Sequence, residues 1–292
     1  MNVQKHHPRR RSGVAAVLPV AAAAAALCGA AGTAQAQFID RGFIAPHEYA
    51  LPVEFKPFNI FAHYAILQQG DRYWDGGGNK VTGDRLSALL GVTKFVRLWT
   101  PESNPKFGLA YEIIVPTVGI RNRTNGAGSV NGVGDPITGP AFWIKPTPNW
   151  TLGGDIFLQV PIGSNSVSTK SWNVIGSVFW DGQFDKINYT GNLGYNIPGS
   201  PNTGAPKSGL TWHSNNRLGY RATGLLEPYV GIDYIRQQSA AGNPTSHETA
   251  LAAGVLFHTY AHSSIALHYE RGIRGQNRIL QNSLNMRFAY VF

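Results

Sequence analysis

The residues able to do chemistry are few and widely spaced. Seven histidines follow the first 36 residues: His47, His63, His213, His247, His258, His262 and His268. The tightest pair, in "HTYAH", sets His258 and His262 four apart, a metal-binding spacing on a helix, but the stretch reads as a turn and no metal is expected there. No nucleophile-elbow motif singles out a serine with a base and an orienting partner. The runs "GGG" (Gly76 to Gly78) and "GVGDPITG" lack the spacing and the following helix of a phosphate loop. Catalytic residues, cofactors and bound metals are therefore all expected to be absent.

What remains is a set of charges that fall on alternate positions. His63, Arg97, Glu112, Asp155, Arg217, Arg221, Asp233, His268, Glu270 and Arg287, joined by His213, are expected to share one face and to line an interior. Arg97, Arg217, Arg221 and Arg287 would face Glu112, Asp155, Asp233 and Glu270. Unpaired charge in a narrow lumen is costly, so such a set is expected to brace a wall by pairing rather than to select ions.

The elements that would carry these side chains are strands. No sustained helical period follows residue 50, whereas alternation at period two recurs in runs of about ten residues, the length of a tilted strand that crosses a bilayer. In "KINYTGNLGYN", Ile187, Tyr189, Leu193 and Tyr195 take one face and Asn188, Thr190, Asn192 and Asn196 the other. "WTLGGDIFLQV" and "HSSIALHYER" repeat the pattern. Strands are expected near 55–68, 85–99, 107–120, 132–145, 150–161, 171–184, 186–196, 209–222, 227–237, 247–257, 262–271 and 283–292, an even twelve. Lys94 falls on the lipid-facing side of the second, and Pro136 and Pro140 interrupt the fourth, where a bulge would accommodate them.

The connectors alternate between long polar loops, such as "GDRYWDGGGNKVTGD" and "IPGSPNTGAPKSG", and short turns, such as "PTPN" and "TYAH". That is how an up-and-down membrane barrel distributes its outer loops and inner turns. Aromatics flank the short turns (Trp99 and Phe107, Trp143 and Trp150, Trp180 and Phe184, Tyr220 and Tyr229, Phe257 and Tyr260). A second set, Tyr195, Trp212, Tyr234 and Tyr269, lies near the long loops. Two interfacial girdles are expected. A soluble sandwich would alternate in the same way, but would not need them.

Composition agrees. Only 14% of the 292 residues are charged, against about a quarter in ordinary soluble chains, and 34 are glycine, which suits many turns. Residues 1–36 combine a basic head (Lys5, Arg9, Arg10, Arg11), a small-residue apolar stretch and "AQA" at Ala34 to Ala36, as in a secretory signal peptide cleaved after Ala36. Its loss lowers the net charge from +9 to +5 and removes Cys28, the one cysteine. A residual +5 without a clustered basic face gives no reason to expect nucleic acid as a partner. The expected layout is 1–36 signal, 37–54 periplasmic segment or lumen plug, and 55–292 outer-membrane β-barrel.

The end of the chain is the most specific short signal. "LNMRFAYVF" alternates large apolar residues up to a terminal phenylalanine, where chain ends are usually frayed and polar. In a barrel the last strand closes on the first and holds Phe292 in the wall. The tail resembles the C-terminal signal of bacterial outer-membrane proteins, which implies that Phe288, Tyr290 and Phe292 are read by the barrel-insertion machinery.

"GVGDPITGPAFWI", "WTLGGDIFLQVPIGS" and "FDKINYTGNLGYNI" together resemble the outer-membrane transporter family named after the MetA pathway of phenol degradation. The resemblance runs from about residue 58 to the C-terminus. Its motifs are a Gly-x-Gly-Asp with a nearby proline (Gly132 to Pro140) and a Pro-x-Gly (Pro161 to Gly163). It implies an outer-membrane barrel in a Gram-negative bacterium, embedded in lipid, that admits small aromatic or hydrophobic molecules without a cofactor. A barrel without transport, either a structural or surface-display protein or an interfacial lipid-acting enzyme, is the alternative.

Overall fold

The computed structural model describes residues 43–122, 128–204, 206–240, 242–260, 262–280 and 282–292. The expected signal peptide and its cleavage site lie outside them. Fourteen strands follow one another and no helix occurs among the described residues: β1 (Phe58–Trp74), β2 (Lys80–Trp99), β3 (Phe107–Asn122), β4 (Ser129–Val133), β5 (Ile137–Thr147), β6 (Trp150–Gln159), β7 (Asn173–Phe184), β8 (Ile187–Pro198), β9 (Thr211–Tyr220), β10 (Leu226–Gln237), β11 (Ser246–Tyr260), β12 (Ser263–Gln276), β13 (Arg278–Ile279) and β14 (Asn282–Val291).

Each strand pairs antiparallel with its neighbour, and β1 pairs with both β2 and β14, which closes the sheet. Tyr64 of β1 stands opposite Val92 on one side and Arg287 on the other. Asn59 N–H donates to the Phe292 carbonyl at 2.8 Å and Phe292 N–H donates back at 2.9 Å, so the terminal residue is stitched into the wall. Twelve long strands form the ring. The short β4 pairs with β3 ahead of β5, and β13 pairs with the far end of β1.

Alternation sorts the side chains as the sequence leads one to expect over most of the barrel. Leu89, Ile113, Ile156, Val178, Val230 and Leu284 are exposed on the outside, while Thr151, Asn188, Thr190, Asn215, Arg217 and Asp233 are buried inside. An exterior this apolar, over an interior this polar, is what a bilayer requires of a barrel. Trp99, Phe107, Trp150, Trp180, Phe184, Tyr220 and Tyr260 point outward near the short turns. Two members of that expected girdle do not: Trp143 and Tyr229 face the interior and are 1% and 3% exposed. Gly108, opposite Trp143, makes room for the indole, since a Cβ there would lie 2.1 Å from the ring.

Two further expectations need correcting. The long first loop is mostly strand, because β1 and β2 extend past the rest of the barrel and only Asp75–Asn79 turn. The expected strand over 132–145 is two pieces, β4 and β5, broken at Gly134–Pro136. Pro140 lies within β5, and the β5–β6 ladder is interrupted beside it without a change of register, since proline has no N–H to give.

If the outer face meets lipid, Val178→Arg, at the centre of β7 and 55% exposed, costs about 2–4 kcal/mol. Urea unfolding of the barrel in lipid vesicles measures it; a cost near zero would contradict a membrane-facing exterior.

Candidate functional site: the barrel lumen

The interior is crossed from one end by residues 43–55, which lie inside the ring rather than beneath it. The segment is held at several points along its length. Arg217 Nε donates to the Ile44 carbonyl at 3.2 Å, Trp143 Nε1 donates to the Pro52 carbonyl at 2.7 Å, and Thr151 Oγ1 donates to the Leu51 carbonyl at 3.4 Å. Tyr49 stacks on Phe179 with ring centroids 4.4 Å apart, and Asn192 Nδ2 donates to its hydroxyl. Phe43 meets the edge of Tyr64 and the ring of His268.

Apolar side chains fill the space around this segment. Tyr49, Leu51, Val53 and Phe55 pack on Val96, Leu98, Ala110, Ala141, Trp143 and Phe179, and Ala45 packs on Tyr229, Leu256 and Ala266. The interior at the short-turn end is therefore greasy, which is why Trp143 and Tyr229 turn inward.

Charged groups lie deeper, several of them in pairs. Arg217 makes a bidentate contact with Asp233 at 2.7 and 2.9 Å, both side chains almost fully buried. Lys94 lies 3.3 Å from Glu112 and 3.9 Å from Glu48. Glu48 also accepts from Arg287 and, at 2.6 Å, from the Tyr64 hydroxyl. Burial alone would raise the Glu48 carboxyl, yet Arg287 and Lys94 hold it below the usual glutamate range. The stabilisation this gives is present at neutral pH and is lost only as acid titrates through that lowered value. Toward the long loops, Glu248 and Arg278 lie 3.7 Å apart with both side chains buried, and Trp74 Nε1 donates to Glu248.

The loop after β6 closes on the lumen from that opposite end. Asp135 accepts from Gly163 N–H at 2.9 Å, Ser168 Oγ at 2.6 Å and Gln159 Nε2 at 3.3 Å, and Lys170 Nζ donates to the Gly163 carbonyl. A Cβ on Gly163 would lie 2.6 Å from the Gly134 backbone, so only glycine permits the approach. Gly-x-Gly-Asp and Pro-x-Gly, separate in sequence, thus form one knot. The knot seats Val167 on the inward-facing Ala88, Leu90 and Val118.

Of the expected lumen residues, Glu112, Asp155, Arg217, Asp233, His268, Glu270, Arg287 and His213 do face inward. His63 and Arg97 face outward instead, where His63 Nδ1 meets Thr93 and Arg97 donates to Asn59. Arg221 lies in the exposed turn after β9 and donates to the Gly224 carbonyl. Lys94, expected toward lipid, is inside. The cause is shared by Arg97 and Lys94: Val96 and Leu98 are apolar because they pack on the inserted segment, and they reverse the apparent polarity of β2. Phe288, Tyr290 and Phe292 lie on the outer face of the seam, as the alternation of the tail requires. Sequence reasoning missed Glu48, Lys94, Glu248 and Arg278 as interior ions.

The sequence profile of the family described as "Putative MetA-pathway of phenol degradation" matches residues 70–288. The chain is similar in fold to the COG4313 outer membrane channel from Pseudomonas putida F1, with a TM-score of 0.74 and 16% identity over 86% of this chain and 100% of that one. It is also similar to the beta domain of the Bordetella autotransporter BrkA, with a TM-score of 0.51 and 13% identity over 82% of this chain and 100% of that one. No curated protein matches the sequence.

Arg217→Met strands the buried Asp233 carboxylate and is expected to destabilise the folded barrel by about 3–5 kcal/mol. The double variant Arg217→Met/Asp233→Leu should recover most of that loss in the same unfolding titration. Equal loss in both would show that the ion pair does not brace the wall.

Proposed function

The chain belongs to the family described as the putative MetA-pathway of phenol degradation, and from that premise we propose that it spans the outer membrane as a passive channel for small neutral molecules, aromatic or hydrophobic in character. The observation that carries this reading is the interior itself, with apolar clusters toward both ends and with Arg217 paired to Asp233, Lys94 to Glu112 and Arg287 to Glu48. Such pairing leaves these cations little free charge with which to draw an anion in, and the bore offers aromatic surfaces on which an uncharged ring can lie. The solved channel from Pseudomonas putida F1 that shares the fold is itself an outer membrane protein.

Flux through this bore requires the segment over 43–55 to give way, and Glu48 is its charged anchor. Membrane insertion through the barrel-assembly machinery, with Phe288, Tyr290 and Phe292 presented on the seam, belongs to the same reading.

Uptake of a radiolabelled neutral monoaromatic into outer-membrane vesicles should be several-fold faster with the protein than without it. Glu48→Gln should raise it further by loosening the segment, with the barrel still folded by its heat-dependent migration on a gel. No protein-dependent uptake of any neutral aromatic, in either form, would overturn the channel reading.

A further inference from the structure

One cluster inside the short-turn end takes no part in the channel reading. His47 reaches from the inserted segment, Glu227 from the start of β10 and His258 from near the end of β11. His47 Nε2 lies 2.9 Å from Glu227 Oε2 and 3.0 Å from Oε1, and His258 Nε2 lies 2.9 Å from Oε2. One ligand atom from each of the three falls within 4.8 Å of the other two, and the imidazole rings stand 5.9 Å apart at 68°. The Glu227 side chain is fully buried, while His47 and His258 are 25% and 22% exposed, which leaves the cluster open on one side.

We propose that His47, Glu227 and His258 form a binding site for a first-row divalent transition-metal ion, with zinc as its representative, that fastens the N-terminal segment to the barrel wall. Two imidazole nitrogens and a carboxylate, with an open fourth position, are a donor set that zinc accepts. Zinc lies about 2.0–2.2 Å from such donors, which sets them roughly 3.3 Å apart in a tetrahedron. The two nitrogen–oxygen spacings of 2.9 Å need widen by only a few tenths of an ångström, and the two imidazole nitrogens, within 4.8 Å of each other, close toward the same separation. Magnesium and calcium want six or more oxygens, which this set does not supply, whereas imidazole suits zinc, copper and nickel. A dication also balances a carboxylate that lies wholly out of water.

The surroundings are shaped for this group of side chains. A Cβ on Gly219 would lie 2.3 Å from Glu227 Oε1, so the carboxylate occupies the space a side chain would fill. His47 holds φ at 60°, a left-handed conformation costly for a non-glycine residue, and Asn188 Oδ1 accepts its N–H at 3.0 Å. That backbone turn aims the imidazole at Glu227. Because one ligand comes from the segment and two come from the wall, a bound ion cross-links them.

This inference stands apart from the transport reading, since no flux enters its test. Untagged protein, refolded in detergent and stripped with a chelator, is titrated with zinc by calorimetry and with cobalt by visible absorption. One equivalent of zinc is expected, together with the intense visible bands of a low-coordinate cobalt site, displaced by zinc. His47→Ala and His258→Ala should each weaken zinc binding by more than the roughly 10–100-fold that loss of a supporting outer partner costs, while His262→Ala should not. His47 lies outside the β-wall, so its variant keeps the barrel folded, as heat-dependent migration verifies. Zinc should also slow proteolysis of the segment in the parent protein and not in His47→Ala. Zinc uptake undiminished in both histidine variants, or absent from the parent, overturns the site; uptake that leaves proteolysis unchanged overturns the fastening.

Discussion

The structure depends on one constraint: a sheet surrounded by hydrocarbon can leave no backbone N–H or C=O without a partner in itself. The seam between β1 and β14 meets it. Ten residue pairs, from Ile60 opposite Val291 to Gln69 opposite Asn282, complete the ring, and the Asn59–Phe292 exchange finishes it. Once the sheet is closed it has two faces and no edge, and each strand's alternation becomes a choice between lipid and lumen. The terminal Phe292 is ordered because it completes the seam.

Closure creates a second problem, which the inserted segment helps to solve. A narrow lumen strips water from whatever faces it, so its ions must find partners inside. Arg217 finds Asp233 on the neighbouring strand. Arg287, by contrast, finds Glu48, which belongs to no strand, and Lys94 lies between Glu48 and Glu112 of β3. The segment therefore supplies the counter-charge that Arg287 uses, along with the apolar surface of Leu51, Val53 and Phe55. Removing it would leave Arg287 without that partner as well as open a path.

The same segment explains how far the sequence could be read. Over most of β6 to β14, Tyr229 of β10 excepted, the lumen is polar enough that period-two alternation assigns faces correctly, as with Asn188, Thr190 and Asn192 against Ile187, Tyr189 and Leu193. In "KFVRLW" the rule inverts. Val96 and Leu98 face inward because apolar residues of the segment fill the space there, and the polar residue between them, Arg97, is left outside. Trp143 and Tyr229 were misplaced as interfacial for the same reason. A pattern argument senses which face is greasy, and it fails where both are. The meeting of His47 with Glu227 and His258, and of Asp135 with Gly163, depends on chain crossings that no local spacing encodes, although the two glycine motifs did mark the second.

The two elements that narrow the bore are held by different physics, and this bears on which of them can yield. The loop around Val167 is tied by Asp135 to the Gly163 amide and the Ser168 hydroxyl, beside a backbone approach that only Gly163 allows; such a knot has one geometry and little tolerance. The segment is tied by long side chains, Arg287, Lys94 and Tyr64 reaching Glu48, and by backbone carbonyls accepting from Arg217 and Trp143. Glu48 could pass from carboxylate to acid and would then lose its ion pairs without any strand moving. The wall, the seam and the loop knot would stay as they are. Of the parts that obstruct the lumen, the segment is thus the one whose hold can change while the barrel remains closed.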